Sequence, residues 1–288
     1  MSPDRLEASL DIDRRPTIEI VRIIQQQDAI VADAVAAQAT RIAHAIDEIA
    51  ERIRHGGRLF YAGAGTSGRI AMLDASELPP TYGIDPSMVR VLMAGGEAAY
   101  FAAVEGAEDD EDAAIAAVSL DVTADDAIVG IAASGTTPYT VAAVRKANLL
   151  GALTVGVTSV AGSPLAQHTD IPIVVELGPE VIMGSSRMKS GTAQKLILNQ
   201  LSTGVMIRLG RVYSNLMIEM PATNEKLRNR AIRMVELAAG IPRPLAVQNM
   251  RESDGNVKVA VVMAKKNVSA AEARVLLNAK SLREVLDS

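Results

Sequence analysis

The feature that most constrains the fold is an alternation of short apolar stretches with helix-like segments between about residues 58 and 209. The apolar stretches are almost continuously hydrophobic and rich in β-branched residues, which is typical of parallel strands covered on both faces. The pattern therefore predicts an α/β protein with a doubly wound parallel sheet and ligands beyond the carboxyl ends of its strands. The predicted strands are 58–63, 88–94, 127–132, 152–157 and 171–175, and the predicted helices are 67–77, 98–105, 110–118, 138–150 and 190–209.

Helical segments flank this alternation on both sides. Residues 1–15 are polar and predict a flexible arm, whereas apolar residues recur at helical spacing from Thr17 to about Arg54. After Pro221 the pattern is helical only, with predicted helices at 224–239, 244–251, 257–265, 270–278 and 281–286. We therefore expect three parts: an N-terminal arm with helices (1–47), the sheet domain (48–215) and a small C-terminal helical domain (216–288).

Composition narrows the class of protein. A chain of 288 residues with 49% hydrophobic and 22% charged residues is globular. A net charge of -5 and 2% aromatic residues argue against nucleic acid as a partner. No apolar stretch approaches the roughly 20 residues of a membrane span, and no signal-peptide core is present. We therefore expect a cytoplasmic protein without a membrane partner.

The residue inventory also limits the chemistry. The chain has no cysteine, which excludes thiolate catalysis and cysteine-ligated zinc, and we predict no metal site. Its three histidines, His44, His55 and His168, are scattered and are interpreted as structural or exposed. A Ser-His-Asp hydrolase therefore has little support. We therefore expect carboxylates to carry any acid–base catalysis.

A glycine-rich turn follows the first predicted strand. Its sequence is GAGTSG over residues 63–68. A glycine-rich turn between a strand and a helix is typical of an anion site, because backbone N–H groups and the helix N-terminus surround the anion. The same letters match the dinucleotide fingerprint, which needs an acidic residue about 20 positions further on. The nearest candidate, Glu97, lies too far along the chain. A sugar phosphate is favoured, with Gly65, Thr66, Ser67 and Gly68 as binding residues.

A second loop of similar design follows the third predicted strand. By itself the run Ser134, Gly135, Thr136, Thr137 before Pro138 would be read as an ordinary capped helix start. Two hydroxyl-bearing glycine loops after parallel strands together favour a phosphate monoester, because its oxygens need several donors. These four residues are therefore predicted to bind substrate.

A third polar segment, residues 178–192, leads into the helix predicted at 190–209. One interpretation is a surface loop with Ser190 as the N-cap. The concentration of small residues, hydroxyls and two cations, Arg187 and Lys189, favours a contribution to the site instead. Ser185, Ser186 and Lys189 are its weaker candidates.

Two carboxylates stand out by position. Glu77 lies near the end of the first loop's helix, which Pro79 and Pro80 are expected to terminate, and suits a general acid. Glu108 lies in an acidic turn. There the pattern alone does not choose among Glu105, Glu108 and Asp109.

Taken together, these segments resemble the N-acetylmuramic acid 6-phosphate etherase family. The resemblance spans about residues 10–288, and the matching segments keep the family's order. It implies a sugar isomerase (SIS) fold of flavodoxin-like type with a helical C-terminal region, shared with the animal glucokinase regulatory protein, and a homodimer. The segments that carry it are 63–69, 74–83, 94–97, 104–109, 130–139, 184–195 and 222–227.

The resemblance also implies a reaction. The family cleaves the D-lactyl ether of N-acetylmuramate 6-phosphate with water, giving N-acetylglucosamine 6-phosphate and D-lactate, and needs no metal or redox cofactor. By motif, Glu77 matches the family's proton donor and Glu108 its second catalytic glutamate. We hypothesise that Glu108 is the base that removes the C2 proton.

Two departures from the family pattern bear on these expectations. Thr136 stands where the family commonly has arginine, which removes a cationic contact to phosphate, and the N-terminal arm lacks the usual opening. A non-catalytic sugar-phosphate sensor, like the glucokinase regulatory protein, is one alternative, but it would need neither Glu77 nor Glu108. An aldose–ketose phosphate isomerase is another, and it would release no lactate.

Overall fold

The computed structural model describes residues 5–222 and 224–288, so the first four residues of the predicted arm, and Thr223, lie outside the described residues. The described chain divides into two compact units. The first contains the residues up to Ala75 together with Ser87–Val205. The second contains Ser76–Pro86 and the described residues of Met206–Ser288.

The first unit contains a five-stranded sheet that is parallel throughout. The strand order is β2-β1-β3-β4-β5. The predicted doubly wound parallel sheet is thereby confirmed, and each strand end lies within one residue of its predicted position. The strands are β1 Leu59–Gly63, β2 Val89–Met93, β3 Ala127–Ile131, β4 Leu153–Thr158 and β5 Ile171–Val174.

Helices precede, connect and follow these strands. They are α1 Thr17–Ala36, α2 Ala39–Arg54, α3 Gly65–Tyr82, α4 Ala98–Phe101, α5 Glu111–Asp121, α6 Pro138–Leu149, α7 Pro164–Gln167 and α8 Lys189–Arg208. The predicted helix at 98–105 is only one turn long, because the backbone becomes extended at Ala102. The remaining predicted helices of the sheet region are present.

Strand alternation assigns the helices to two layers. Phe60 and Ile128 face the layer that contains α5 and α6, in a core with Val118 and Tyr139. Tyr61, the next residue along β1, faces the opposite layer, where its hydroxyl donates to Asp74 of α3. Both faces of the sheet are therefore covered, which accounts for the almost continuous hydrophobicity of its strands.

The predicted flexible arm is wrong for residues 5–15. This segment forms two short 3-10 helices, Glu7–Ser9 and Ile12–Arg14. The Ser9 hydroxyl donates to the carbonyl of Val181 at 2.7 Å. A polar composition alone suggested mobility, but this hydrogen bond joins the arm to a loop more than 170 residues away, which local sequence cannot reveal.

The end of α3 is also corrected. The helix continues through Pro79 and Pro80 to Tyr82 instead of stopping before them. A proline in the last turn removes one hydrogen bond but keeps a helical φ, so the chain can continue for a few residues. Gly83 then ends the helix with a φ of 60° and donates its N–H to the Pro79 carbonyl at 2.9 Å.

Gly83→Ala is expected to destabilise the protein more than the same change at a comparable helix end. A Cβ at Gly83 would lie 2.3 Å from the carbonyl oxygen of Glu219, in addition to the strain of a positive φ. We expect a loss of about 2–4 kcal/mol in the free energy of unfolding, combining left-handed strain with overpacking. Gly240→Ala is the matched control, because Gly240 caps α9 at a φ of 70° with nothing within 4 Å. Equal losses in denaturant titrations would contradict the steric argument.

The second unit is mainly helical and has its own core. Ala231, Val235, Val261 and Val285 are among its buried residues. A short antiparallel hairpin, which the sequence did not predict, follows α8. The elements are β6 Val212–Tyr213, β7 Leu216–Met217, α9 Glu225–Ala239, α10 Arg243–Glu252, α11 Val257–Lys266, α12 Ala270–Ala279 and α13 Leu282–Asp287.

Candidate active site

The sheet order creates a switch point at β1. Its neighbours β2 and β3 both pair with it in parallel, with Gly63 opposite Met93 on one side and Ile131 on the other. Crossovers leave this point in opposite directions, and sheets of this kind bind ligands beyond the carboxyl ends of the strands at such a point. The two predicted hydroxyl loops follow these two strands and are thus brought to the same edge of the sheet.

The first loop owes its shape to its glycines. Gly65 begins α3 with a φ of 53°, and Gly68 allows the helix to pass close to the strands. A Cβ at Gly68 would lie 2.1 Å from the Met93 sulfur and 2.9 Å from the Gly63 carbonyl. Ser67 is buried and Thr66 is half-buried. The first turn of a helix has backbone N–H groups without partners in the helix, which is the feature that an anion site uses.

The second loop is a compact turn around Ser134. The Ser134 hydroxyl accepts hydrogen bonds from the Thr136 N–H at 3.2 Å and the Thr136 hydroxyl at 2.9 Å. Gly135 has a φ of 67°, and a Cβ there would lie 2.1 Å from the Ser163 hydroxyl. Thr137 precedes the first residue of α6. Because Ser134 accepts both bonds, its own hydroxyl proton is directed elsewhere.

At the end of the third loop a carboxylate caps the start of α8, which argues against the alternative interpretation in which Ser190 is the N-cap. Instead of Ser190 acting as N-cap, the carboxylate of Glu180 accepts from the backbone N–H groups of Lys189 and Ser190, each at 3.0 Å. A buried carboxylate therefore already occupies the N-terminus of α8. Ser185 and Ser186 remain half-buried in the loop, and the Ser186 carbonyl accepts from Gly191.

The side chain of Lys189 is buried. It is 1% exposed, and its ammonium donates to the side-chain oxygen of Gln27 and the carbonyl of Leu177, both at 2.8 Å. Burial lowers the pKa of Lys189, while the nearby carboxylates of Glu180 and Asp28 oppose this. Its ammonium stabilises the loop from inside, so we no longer propose it as a substrate ligand.

A buried polar cluster fixes α3 and α8 behind the loops. Asp74 accepts from the Tyr61 hydroxyl at 3.0 Å and the Ser202 hydroxyl at 3.2 Å, and Lys195 lies 3.6 Å away. Burial raises the pKa of Asp74, and these partners only partly offset the effect. At the start of α8, a Cβ on Gly191 would lie 3.7 Å from the Thr66 methyl group. The first and third loops therefore meet.

A cavity of about 350 Å³ opens between the first loop and the segment after β2. Gly65 and Arg69 line one side, and Glu105 and Glu108 line the other. Both glutamates are exposed, and Glu108 lies in a 3-10 turn, Ala107–Asp109. The structure thus brings Gly65 together with two of the three carboxylates that the sequence could not separate.

The other predicted residues occupy different places. The described residues that line the cavity all belong to the first unit. Glu77 is exposed on the part of α3 that groups with the second unit. The residues of the second loop reach the same sheet edge through β3 but are not among the cavity's lining residues.

Arg69 is a residue that the sequence reasoning missed. It lines the cavity and donates to backbone carbonyls across it. The sequence could have indicated Arg69, because it is a cation directly after the glycine-rich turn. It also lies in the first two turns of a helix whose N-terminus is expected to bind an anion. Within 5–222 and 224–288, no cluster of histidine and carboxylate side chains could hold a metal ion, and no helix is long and apolar enough to cross a membrane.

The sequence of the chain is similar to those of known proteins. Residues 41–148 match the model of the glucokinase regulatory protein N-terminal SIS domain. An N-acetylmuramic acid 6-phosphate etherase from Symbiobacterium thermophilum is 56% identical over 258 residues, covering 90% of this chain and 86% of the relative. Another from Clostridium beijerinckii is 49% identical over 288 residues, covering 98% and 95%.

Solved structures agree on the fold. A phosphoheptose isomerase from Francisella tularensis superimposes with a TM-score of 0.55 at 20% identity, covering 67% of this chain and 100% of that one. At this identity the likeness concerns the fold alone. It supports the SIS architecture that the sequence predicted.

Proposed function

The chain belongs to the N-acetylmuramic acid 6-phosphate etherase family, and we propose that Glu108 and Glu77 are the base and the acid of its reaction. It is an enzyme that cleaves the D-lactyl ether of N-acetylmuramate 6-phosphate, in amino sugar catabolism. The roles of the two glutamates follow from their match to the family's motifs and from the chemistry of the substrate.

The reaction divides into an elimination and a hydration. In the open-chain sugar the C1 aldehyde acidifies the C2 proton, which Glu108 removes. The electron pair is first held as an enolate on the C1 carbonyl. It then forms the C2–C3 double bond as the C3–O bond breaks, and the departing lactyl oxygen takes a proton from Glu77. Water then adds its oxygen to C3 and a proton returns to C2, which gives N-acetylglucosamine 6-phosphate and D-lactate.

The observation that carries the assignment of Glu108 is its position in the cavity beside Gly65. A general base must reach the proton that it removes, and the glycine loop is the predicted anchor for the sugar phosphate. Glu108 lines the same cavity as this loop, beyond the carboxyl ends of parallel strands. This is where ligands of doubly wound sheets bind.

The direct test is incubation of the purified chain with N-acetylmuramate 6-phosphate and an enzymatic assay for D-lactate. We expect equal amounts of D-lactate and N-acetylglucosamine 6-phosphate. The unphosphorylated sugar is the control, and it should react far more slowly because the loops are proposed to hold phosphate. Folded protein that releases no lactate would contradict the proposed function.

We assign sugar and phosphate contacts to the hydroxyl loops, with Ser67 and Ser134 as their main donors. Gly65, Thr66 and Gly68 contribute backbone groups in the first loop, and Gly135, Thr136 and Thr137 complete the second. Thr136 stands where the family commonly has arginine. Its hydroxyl donates to the Ser134 hydroxyl, so we assign it the role of orienting Ser134 and not that of a cationic phosphate contact. Ser185 and Ser186 remain weaker candidates.

Ser134→Ala is expected to raise KM for the phosphorylated substrate by about 10- to 100-fold, with little change in kcat. A hydrogen bond to a charged group contributes about 1.5–3 kcal/mol, and 1.4 kcal/mol corresponds to a factor of ten. Steady-state kinetics of the D-lactate assay measures both constants. Ser119→Ala is the control, because Ser119 is exposed on α5 and its hydroxyl donates to the Ile115 carbonyl of the same helix. An unchanged KM would remove Ser134 from the site.

We also propose a cytoplasmic homodimer. Apolar side chains on α1 support a partner surface: Ile18, Val21 and Ile30 are exposed. A phosphorylated sugar is retained inside the cell by its charge, which supports a cytoplasmic reaction. Light scattering coupled to gel filtration should give about twice the chain's 30.3 kDa, and a monomeric mass would contradict the dimer.

A further inference from the structure

The guanidinium group of Arg69 bonds to the backbone at the end of a neighbouring helix. Its Nε donates to the carbonyl of Ala99 at 3.0 Å and to that of Tyr100 at 3.3 Å, and its Nη2 donates to that of Ala102 at 3.2 Å. These carbonyls lie in or just after α4, which is a single turn. The last carbonyls of a helix have no partners within it. Arg69 supplies the donors that α4 lacks.

The segment that follows α4 is irregular until its end, where Ala107 packs against the core beside β1 and α6. Residues 102–108 contain no helix or strand before the 3-10 turn at Ala107, and Gly106 has a φ of 73°. The segment packs on Gly95, where a Cβ would lie 2.9 Å from the Val104 Cβ and 3.1 Å from the Ala107 Cβ. Residues 102–106 lie outside any helix or strand, so their position depends on how the start of the segment is held.

This segment also forms a wall of the candidate active site. Glu105 and Glu108 line the same cavity as Arg69. A base that is misplaced by about 1 Å can lose about 10²-fold in rate. We propose that Arg69 is a positioning residue, which fixes the start of residues 102–108 and thereby holds Glu108 at the substrate's C2. The proposal rests on the proposed function in taking Glu108 as the base.

The competing role for Arg69 is direct contact with the phosphate. A cation beside a glycine loop suits that role, but two of the three guanidinium nitrogens already donate to carbonyls. A planar guanidinium can bond to several carbonyls at fixed angles, whereas a lysine ammonium is a compact point charge. Lysine would therefore keep the positive charge but lose the planar set of N–H donors that reaches several carbonyls at once. The two roles predict opposite results for Arg69→Lys.

The test combines Arg69→Lys and Arg69→Ala with amide hydrogen exchange and steady-state kinetics. In both variants we expect faster exchange in residues 98–110 without substrate, a fall in kcat of about 10²-fold and a KM near that of the wild type. Arg52→Ala is the matched control. Arg52 also donates to loop carbonyls, those of Ala124 and Gly151, before the amino ends of β3 and β4. It should leave both readouts unchanged.

Two results would overturn the inference. One is wild-type exchange in residues 98–110 in both Arg69 variants. The other is a rise in KM with unchanged kcat in Arg69→Ala that Arg69→Lys restores, which would indicate a phosphate ligand. Thermal melting identifies a variant that fails to fold, and Arg69→Lys then carries the test. If the wild type releases no D-lactate, the proposed function fails, whereas the exchange experiment still decides whether Arg69 anchors the segment.

Discussion

Glu108→Gln is expected to lose both D-lactate release and exchange of the C2 proton with solvent deuterium. Glutamine keeps the size and polarity of the side chain but cannot accept the proton, so the first step of the reaction stops. A positioned general base contributes about 10²–10⁴-fold. We therefore expect kcat/KM to fall by that factor while the folded protein is preserved. Nuclear magnetic resonance of the substrate in deuterium oxide measures exchange, and the lactate assay measures release.

The matched control is the second carboxylate of the cavity. Glu105→Gln changes the same chemical group in the same wall, because Glu105 and Glu108 both line the cavity. We expect Glu105→Gln to keep most of both activities. If Glu105→Gln loses exchange and Glu108→Gln keeps it, the base is Glu105. This pair of variants therefore decides whether Glu105 or Glu108 is the base, which the sequence of the acidic turn does not.

The sheet was predictable because its signals are local. Each strand is a short run of apolar residues between turns, so β1 was expected at 58–63 and lies at Leu59–Gly63. Parallel pairing then brings the loops after β1 and β3 to one edge without further information. The end of α3 was not predictable in the same way, because the rule for a proline in a helix interior is weaker in the last turn.

The candidate site was only partly predictable because much of it depends on distant contacts. Lys189 looked like a substrate ligand beside Arg187, but its ammonium bonds to Gln27, which is 162 positions away in the chain. Glu180 likewise occupies the N-terminus of α8, where the sequence offered Ser190 as one possible N-cap. Spacing indicates which residues can carry chemistry. It does not show which charges the fold has already paired.

Glu77→Gln is expected to separate the two steps that Glu108→Gln stops together. Without the proton donor, the C3–O bond must break to give an unprotonated lactyl oxygen, which is a poor leaving group. Removal of the C2 proton does not require that acid. We therefore expect C2 exchange to continue while D-lactate release falls by about 10²–10⁴-fold. Both rates are measured on the same sample in deuterium oxide.

The control for this variant is Glu252→Gln. Glu252 is an exposed carboxylate at the end of α10, in the same unit as Glu77, and it accepts a hydrogen bond from Gln248. Its loss should change neither rate, because the reaction assigns it no proton. If Glu77→Gln loses C2 exchange and D-lactate release equally, Glu77 is necessary for the first step. An acid that acts only on the leaving lactyl oxygen cannot slow the C2 exchange, because that exchange precedes the departure of lactate.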